Sequence, residues 1–263
     1  MDDTVLAAMA RWPNVPDVFG WLSLSSTGQW RLHPGGAALP EGIQANPSAS
    51  GPDPDPAAMS ALSEGEVIGS PAITAFIGRN YGHDTEGRWF FQNGPQRVFV
   101  RLDAAPYILR TTGTGTALRT HSGLGISHVL SWVLDDSGRL FAMTDRGPGI
   151  VAGRDLPALV NALRTTHGET LAEALALGVF AGGNQPVAGP VEPIHIQPID
   201  ALANSPTETA GAGAAKAQSP VHTAPLRFST TDGIAATLGF TRFPRERLGP
   251  ARTPLNRPQE PRP

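Results

Sequence analysis

The run Asp84-Thr85-Glu86-Gly87-Arg88-Trp89-Phe90-Phe91-Gln92-Asn93-Gly94-Pro95-Gln96-Arg97-Val98-Phe99-Val100-Arg101-Leu102 carries two chain reversals and the strands between them. An acidic residue at the first position of a reversal, with Gly at the fourth, is type I turn chemistry. The carboxylate caps open N–H groups, and Gly takes the positive φ that makes a bulge at a hairpin corner. Asn93-Gly94 supplies the second reversal, between 88–92 and 96–102. In the last strand Val98, Val100 and Leu102 face one side and Arg97, Phe99 and Arg101 the other, which is the alternation of a half-buried strand.

The first reversal recurs as Ser25-Ser26-Thr27-Gly28-Gln29-Trp30 and as Asp135-Asp136-Ser137-Gly138-Arg139-Leu140. Apolar runs at 18–24 and 129–134 precede these two copies, so each reads as a β-hairpin. Adding 107–111 and 140–144 gives an expectation of seven or eight strands in an antiparallel β-meander, a bent sheet or partial barrel. Helices frame it. Ser70-Pro71 is an N-cap with proline at the first helical position, followed by Ile73, Phe76 and Ile77 on one face up to Arg79. Asp155 is placed to cap a helix through Leu156, Leu159, Val160 and Leu163. Thr166 and Glu169 have capping-box spacing before Leu171, Leu175 and Leu177. A short N-terminal helix fits 5–10. The predicted class is α+β, with the helices packed on one side of the sheet.

Composition limits how much of the chain this body takes. Gly and Pro make up 56 of 263 residues (30 and 26), about one in five where ~12% is usual. Residues 34–65, with Pro34-Gly35-Gly36 and Asp53-Pro54-Asp55-Pro56, hold too little apolar material to offset the entropy of ordering, and read as a disordered linker. Residues 181–263 read as a mostly disordered tail. The expected core domain is therefore 1–33, as N-terminal helix and first hairpin, joined to 66–180. A 33-residue piece cannot bury a core by itself.

Several chemistries are excluded or disfavoured. The chain has no cysteine, so disulfides, thiolate metal sites and a cysteine nucleophile are impossible. A net charge of −3 gives no cationic field for nucleic acid or anionic lipid. Residues 66–165 hold ten arginines against eight acids, too small a surplus for a nucleic-acid surface. No run approaches a membrane span, and a soluble, cytoplasmic protein is the expectation. Gly113-Thr114-Gly115 has Leu118 where a dinucleotide loop needs its third glycine, and neither a Walker A run nor a Gly-x-Ser-x-Gly elbow occurs. No cofactor, metal or catalytic residue is assigned. His121 and His128 flank a glycine-bearing loop and could hold a metal with Asp103 or Asp135; solvated or hydrogen-bonded loop histidines are the plainer reading.

The runs 11–22 (Arg11-Trp12-Pro13-Asn14-Val15-Pro16-Asp17-Val18-Phe19-Gly20-Trp21-Leu22), 76–81 (Phe76-Ile77-Gly78-Arg79-Asn80-Tyr81) and 87–98 together resemble a proteobacterial family known only as a domain of unknown function. The resemblance covers 1–33 and 66–165, leaves the linker and tail outside, and implies a compact bacterial cytoplasmic domain. It carries over no catalytic residue.

Two functional readings follow. The first is a non-catalytic binding or interaction module. Within the tail, Leu238-Gly239-Phe240-Thr241-Arg242-Phe243-Pro244-Arg245 brings aromatics and charge together, and can add a strand to a free sheet edge in cis or in trans. Phe240, Arg242, Phe243 and Arg245 are the candidate docking residues for a protein partner, with an unbound basic tail as the bland reading. The second is a small-molecule-binding domain or enzyme with a polar rim of Arg79, Asn80, His83, Asn93, His121 and His128. Oligomeric state is not legible.

Overall fold

The structure is a computed structural model, and it describes residues 1–39, 64–112, 117–165, 168–176, 194–198 and 223–246. Fourteen short strands among these residues form two open sheets. The first contains β1 (Val18–Leu24), β2 (Trp30–Leu32), β3 (Glu66–Val67), β4 (Tyr81–His83), β5 (Trp89–Asn93) and β6 (Gln96–Leu102), in the order β3-β2-β1-β6-β5-β4. The second contains β7 (Tyr107–Thr111), β8 (Leu118–Thr120), β9 (Val129–Asp135), β10 (Leu140–Thr144), β11 (Gly147–Val151), β12 (Leu163–Thr165), β13 (Ile194–Pro198) and β14 (Ala224–Ser229), in the order β12-β13-β14-β9-β10-β11-β7-β8. The helices are α1 (Asp3–Arg11), α2 (Pro71–Arg79), α3 (Leu156–Ala162), α4 (Leu171–Ala176) and α5 (Ile234–Leu238).

The α+β class holds, and the antiparallel meander gives way to mixed sheets. Parallel pairing joins β1 to β6, β7 to β11 and β9 to β14. Short turns dictate antiparallel neighbours within each hairpin, but the pairing of hairpins distant in sequence leaves no local signal. The parallel pairs also show an internal duplication. Strands β4-β5-β6-β1-β2 and β9-β10-β11-β7-β8 follow the same sequence of pairings: antiparallel, antiparallel, parallel, antiparallel. In each unit a three-strand meander returns its last strand beside the first strand of an earlier hairpin.

One turn geometry punctuates both units. In Ser25–Gln29, Asp84–Arg88 and Asp135–Arg139 the fourth-residue glycine donates its N–H to the first carbonyl, and the first N–H donates to the fifth carbonyl. Thr120–Leu124 and Thr165–Glu169 repeat the pattern. The side-chain oxygens of Ser25, Asp84, Thr120 and Asp135 accept the fifth residue's N–H at 2.9, 3.0, 3.1 and 2.7 Å. In the two acidic copies the fifth residue is arginine and folds back, Arg88 Nε to Asp84 Oδ2 at 2.8 Å and Arg139 Nε to Asp135 Oδ2 at 2.8 Å. The turns at 120 and 165 were not anticipated, although Thr120-His121-Ser122-Gly123 and Thr165-Thr166-His167-Gly168 carry the same small-polar-then-glycine spacing. The last of these displaces the expected capping box. Thr165, Gly168 and Glu169 are spent on the turn, so the box forms at Thr170 and Glu173: Thr170 N–H reaches Glu173 Oε2 at 2.8 Å and Glu173 N–H reaches Thr170 Oγ1 at 2.9 Å. Ser70 does cap α2, accepting from Ile73 N–H at 3.5 Å. Asp155 makes no cap, its Oδ2 accepting instead from Thr111 N–H at 3.1 Å.

The expected linker and tail need correction where they are described. Residues 34–36 form a 3₁₀ turn, and Ala38 is buried with its N–H on the Gly20 carbonyl at 2.8 Å. Residues 223–246 join the body through β14 and α5, and Phe240 is fully buried in the core. Most of 34–65 and 181–263, namely 40–63 and all of the tail except 194–198 and 223–246, lies outside the described residues. Core burial explains the correction: Ala224, Leu226, Ile234, Leu238 and Phe240 supply apolar area to both sheets, a pattern hidden in sequence by the Ala/Gly/Ser tract before it.

The segment after α5 is seated on a turn glycine. Gly87 has φ +69, and a Cβ there would lie 2.3 Å from the Gly239 carbonyl oxygen; Gly138, with φ +79, has nothing within 4 Å. Gly138→Ala is therefore expected to cost only the left-handed backbone term, ~1–2 kcal/mol, and Gly87→Ala roughly 3 kcal/mol or more because the 239–241 segment must shift as well. Urea midpoints of the two variants check this; equal losses would show that the segment is not seated there.

Candidate functional site

A cavity of about 760 Å³ opens between the first sheet and α2. Its walls come from β1 (Val18, Leu22), β6 (Val98), β5 (Phe91) and the helix face carrying Ile73 and Ile77, with Ile68 beside them. Helical spacing brings the two α2 isoleucines to one face, and strand alternation brings Val98 and Leu22 to the same side of the sheet. The mouth is unusually apolar: Trp21, Leu32, Val67 and Ile73 are 43, 42, 53 and 51% exposed. Its polar lining is Glu66, Ser70, Asn93 and Gln96.

A bulge in β1 shapes this opening. Val18 pairs with Val98 and Leu22 with Val100, so three residues of β1 stand against one of β6. Phe19 stacks on Phe99 with ring centroids 4.6 Å apart. Gly20 takes φ +80, where a Cβ would lie 2.3 Å from the Gly36 carbonyl oxygen, and Trp21 is carried to the cavity mouth. A glycine inside an apolar strand run is the sequence signal that marks such a bulge.

The six expected rim residues do not converge. Asn93 lines the cavity. Arg79 and Asn80 meet around Asp2, outside its lining: Arg79 Nε reaches Asp2 Oδ1 at 3.1 Å, and Asn80 Oδ1 accepts the Asp2 N–H at 2.8 Å. Asn80 is buried, its amide donating to the Phe76 carbonyl and its own carbonyl accepting from Gln92 N–H. His83 is exposed and tilts against Trp89. His121 sits in the seam between sheets, with Trp30 and Tyr107 around it, and its Nδ1 accepts Ile108 N–H at 3.3 Å. His128 is exposed beside the Asp145 turn, its N–H directed to Asp145 Oδ1 at 3.3 Å. Among the described residues no three His, Asp or Glu side chains gather as metal ligands.

The proposed docking residues make intrachain contacts. Thr241 bridges Arg88 in parallel and donates to the Gly87 carbonyl at 2.9 Å. The Arg242 carbonyl accepts Leu102 N–H at 2.9 Å, and its guanidinium donates to the Asp103 carbonyl at 2.8 Å. The Arg245 carbonyl accepts from Arg88 Nη1 at 3.2 Å. Phe243 lies half-buried under the Arg242 guanidinium, 5.3 Å from its ring centroid.

Elsewhere, polar groups lie inside the body. Ser23 Oγ and His33 Nε2 are 2.8 Å apart, the separation of a nucleophile–base pair. Both residues are fully buried and His33 Nδ1 has no orienting partner, so the pair closes a hydrogen bond inside the body. Burial holds the His33 imidazole down to about 4, with Arg101 and Arg31 adding repulsion. Burial likewise holds His121 down to about 4, helped by Arg110. Burial pushes the Tyr107 hydroxyl up to about 12 and the Tyr81 hydroxyl up also.

The fold and cavity define a mixed α+β domain with an apolar cleft. The family described as "Protein of unknown function (DUF2946)" matches residues 1–245, and the chain belongs to that family. The match runs through the expected linker and into the tail as far as 245, beyond the extent the sequence resemblance suggested. No curated protein matches. Among solved structures the chain is similar to a DUF1285 family protein from Silicibacter pomeroyi DSS-3, at 14% identity over 62% of this chain and 86% of that one, with a TM-score of 0.37.

The two depressed imidazoles set an acid limit. Unfolded, each titrates near 6.5; folded, near 4. The unfolded chain therefore binds more protons between these values, so the contribution is complete above pH 6.5 and is lost as pH falls from about 6.5 toward 4. Urea midpoints measured across that window are expected to fall with pH, and His33→Gln with His121→Gln to flatten the slope.

Proposed function

We propose that this protein is a non-catalytic, cytoplasmic binding module whose site is the cavity between the first sheet and α2. The observation that carries the reading is the cavity itself: about 760 Å³, walled by Val18, Leu22, Ile77, Phe91 and Val98, with polar groups confined to its edge. Ligand sites are typically ~300–1,000 Å³, mostly apolar, with a few placed polar groups. Four large apolar side chains left exposed at one mouth are costly to leave in water at ~25 cal/mol per Å², and an occupant recovers that area. Among the described residues no helix is long and apolar enough to cross a membrane.

The 238–245 segment takes a different role in this reading. Its aromatics and arginines spend their contacts on the chain's own seam, which supports docking in cis and leaves the cavity as the surface open to a partner molecule.

The neutral fluorophore N-phenyl-1-naphthylamine is expected to bind the full chain saturably at one site. Ile73→Trp fills the mouth from a half-exposed position and is expected to weaken that binding at least about tenfold, with the urea midpoint nearly unchanged. Unaltered probe binding by Ile73→Trp would overturn the assignment of the site.

A further inference from the structure

Resting on the cavity reading above, we infer that the occupant is a cationic amphiphile, with an apolar chain against Leu22, Ile77 and Val98 and an ammonium head at Glu66. The inference comes from the charge and hydrogen-bonding inventory of the mouth. Glu66 supplies the one formal charge in the cavity lining, and Ser70, Asn93 and Gln96 are neutral.

The neighbouring guanidiniums pair with other carboxylates. Arg31 stands across the β2–β3 ladder from Val67, the residue next to Glu66, but its Nη1 turns to Glu64, donating to the Glu64 carbonyl at 3.0 Å and lying 3.6 Å from its carboxylate. Arg79, at the far end of α2, is held by Asp2. The Glu66 carboxylate itself has no ion-pair partner among the described residues, and it is exposed at the mouth.

One neutral group adds an acceptor. Gln96 Nε2 donates to the Pro16 carbonyl at 3.2 Å, which leaves its amide oxygen as a spare acceptor. Ser70 Oγ already accepts from the Ile73 N–H. The Gln96 amide oxygen and an unpaired carboxylate match a head group that donates and carries positive charge. A carboxylate head would sit beside Glu66 as a like charge and lose hydration, whatever the Ser70 hydroxyl or the Asn93 amide donated to it. A neutral hydroxyl head would gain a hydrogen bond but no ion-pair attraction. In a half-exposed mouth, that attraction is worth about a tenfold preference.

Displacement of bound N-phenyl-1-naphthylamine from the full chain at neutral pH, by decylammonium, decanol and decanoate below their micellar ranges, tests the head group. Decylammonium is expected to displace the probe at about one-tenth the concentration decanol requires, decanoate to be weaker than decanol, and the ammonium preference to shrink as salt is raised. Glu66→Gln is expected to bring decylammonium to the decanol level and leave decanol and the probe itself unchanged. Decanoate matching decylammonium, or an ammonium preference that survives Glu66→Gln, would overturn the cationic head and leave the cavity reading standing. A probe that fails to bind at all, or binds Ile73→Trp equally well, would remove the cavity reading itself.

Discussion

A left-handed glycine four residues into a polar turn is the constraint on which this fold depends. Five times the chain reverses through the same hydrogen bonds, with Gly28, Gly87, Gly123, Gly138 and Gly168 all at positive φ. The two hydrogen bonds of each turn remove four backbone groups from the list of those needing partners, and in four of the five the first residue's side chain satisfies a fifth. Short strands with little apolar area each can then form two sheets, because their ends need no other support. At Gly87 the missing side chain does more. It makes room for the backbone of residues 239 and 240, so a turn signal is also a docking seat.

That seat links the two ends of the body. The hairpin-and-meander unit appears once in each sheet, with the same pairings and the same parallel closure. Residues 223–246 then run from the second sheet, where β14 lies beside β9, to the first, where Thr241 and Arg242 hydrogen-bond to Gly87 and Leu102. Phe240 and Leu238 fill core space between these points. Arg88 stands at the junction. It pairs with Asp84 in its own turn, covers the Phe99 ring at 4.8 Å, and donates to the Arg245 carbonyl.

The cavity has a different origin, in the one place where the first sheet departs from regular register. The bulge over 19–21 spends Phe19 on stacking with Phe99 and exposes Trp21 toward α2. An unbroken β1 would place alternating side chains in a continuous surface. The irregularity leaves an apolar recess with the edge residues of β3, β5 and β6 as its polar margin.

The sequence alone determined the α+β class, three of the five glycine turns, the Asn93-Gly94 hairpin and the capped start of α2, because each depends on residues within about five positions of one another. It also named Asn93 in its polar rim, a residue that lines the cavity, and offered 238–245 as a docking segment with an unbound tail as the alternative. It placed Arg79, Asn80, His83, His121 and His128 on a common rim, and the fold scatters them, since polarity alone says nothing about direction. Only the tertiary structure decided the parallel pairings, the inclusion of 223–246 in the core, and the meeting of Glu66, Trp21, Ile73 and Gln96 around one recess. Those depend on contacts between residues far apart in the chain, where burial of apolar area selects the partner and no local propensity records the choice.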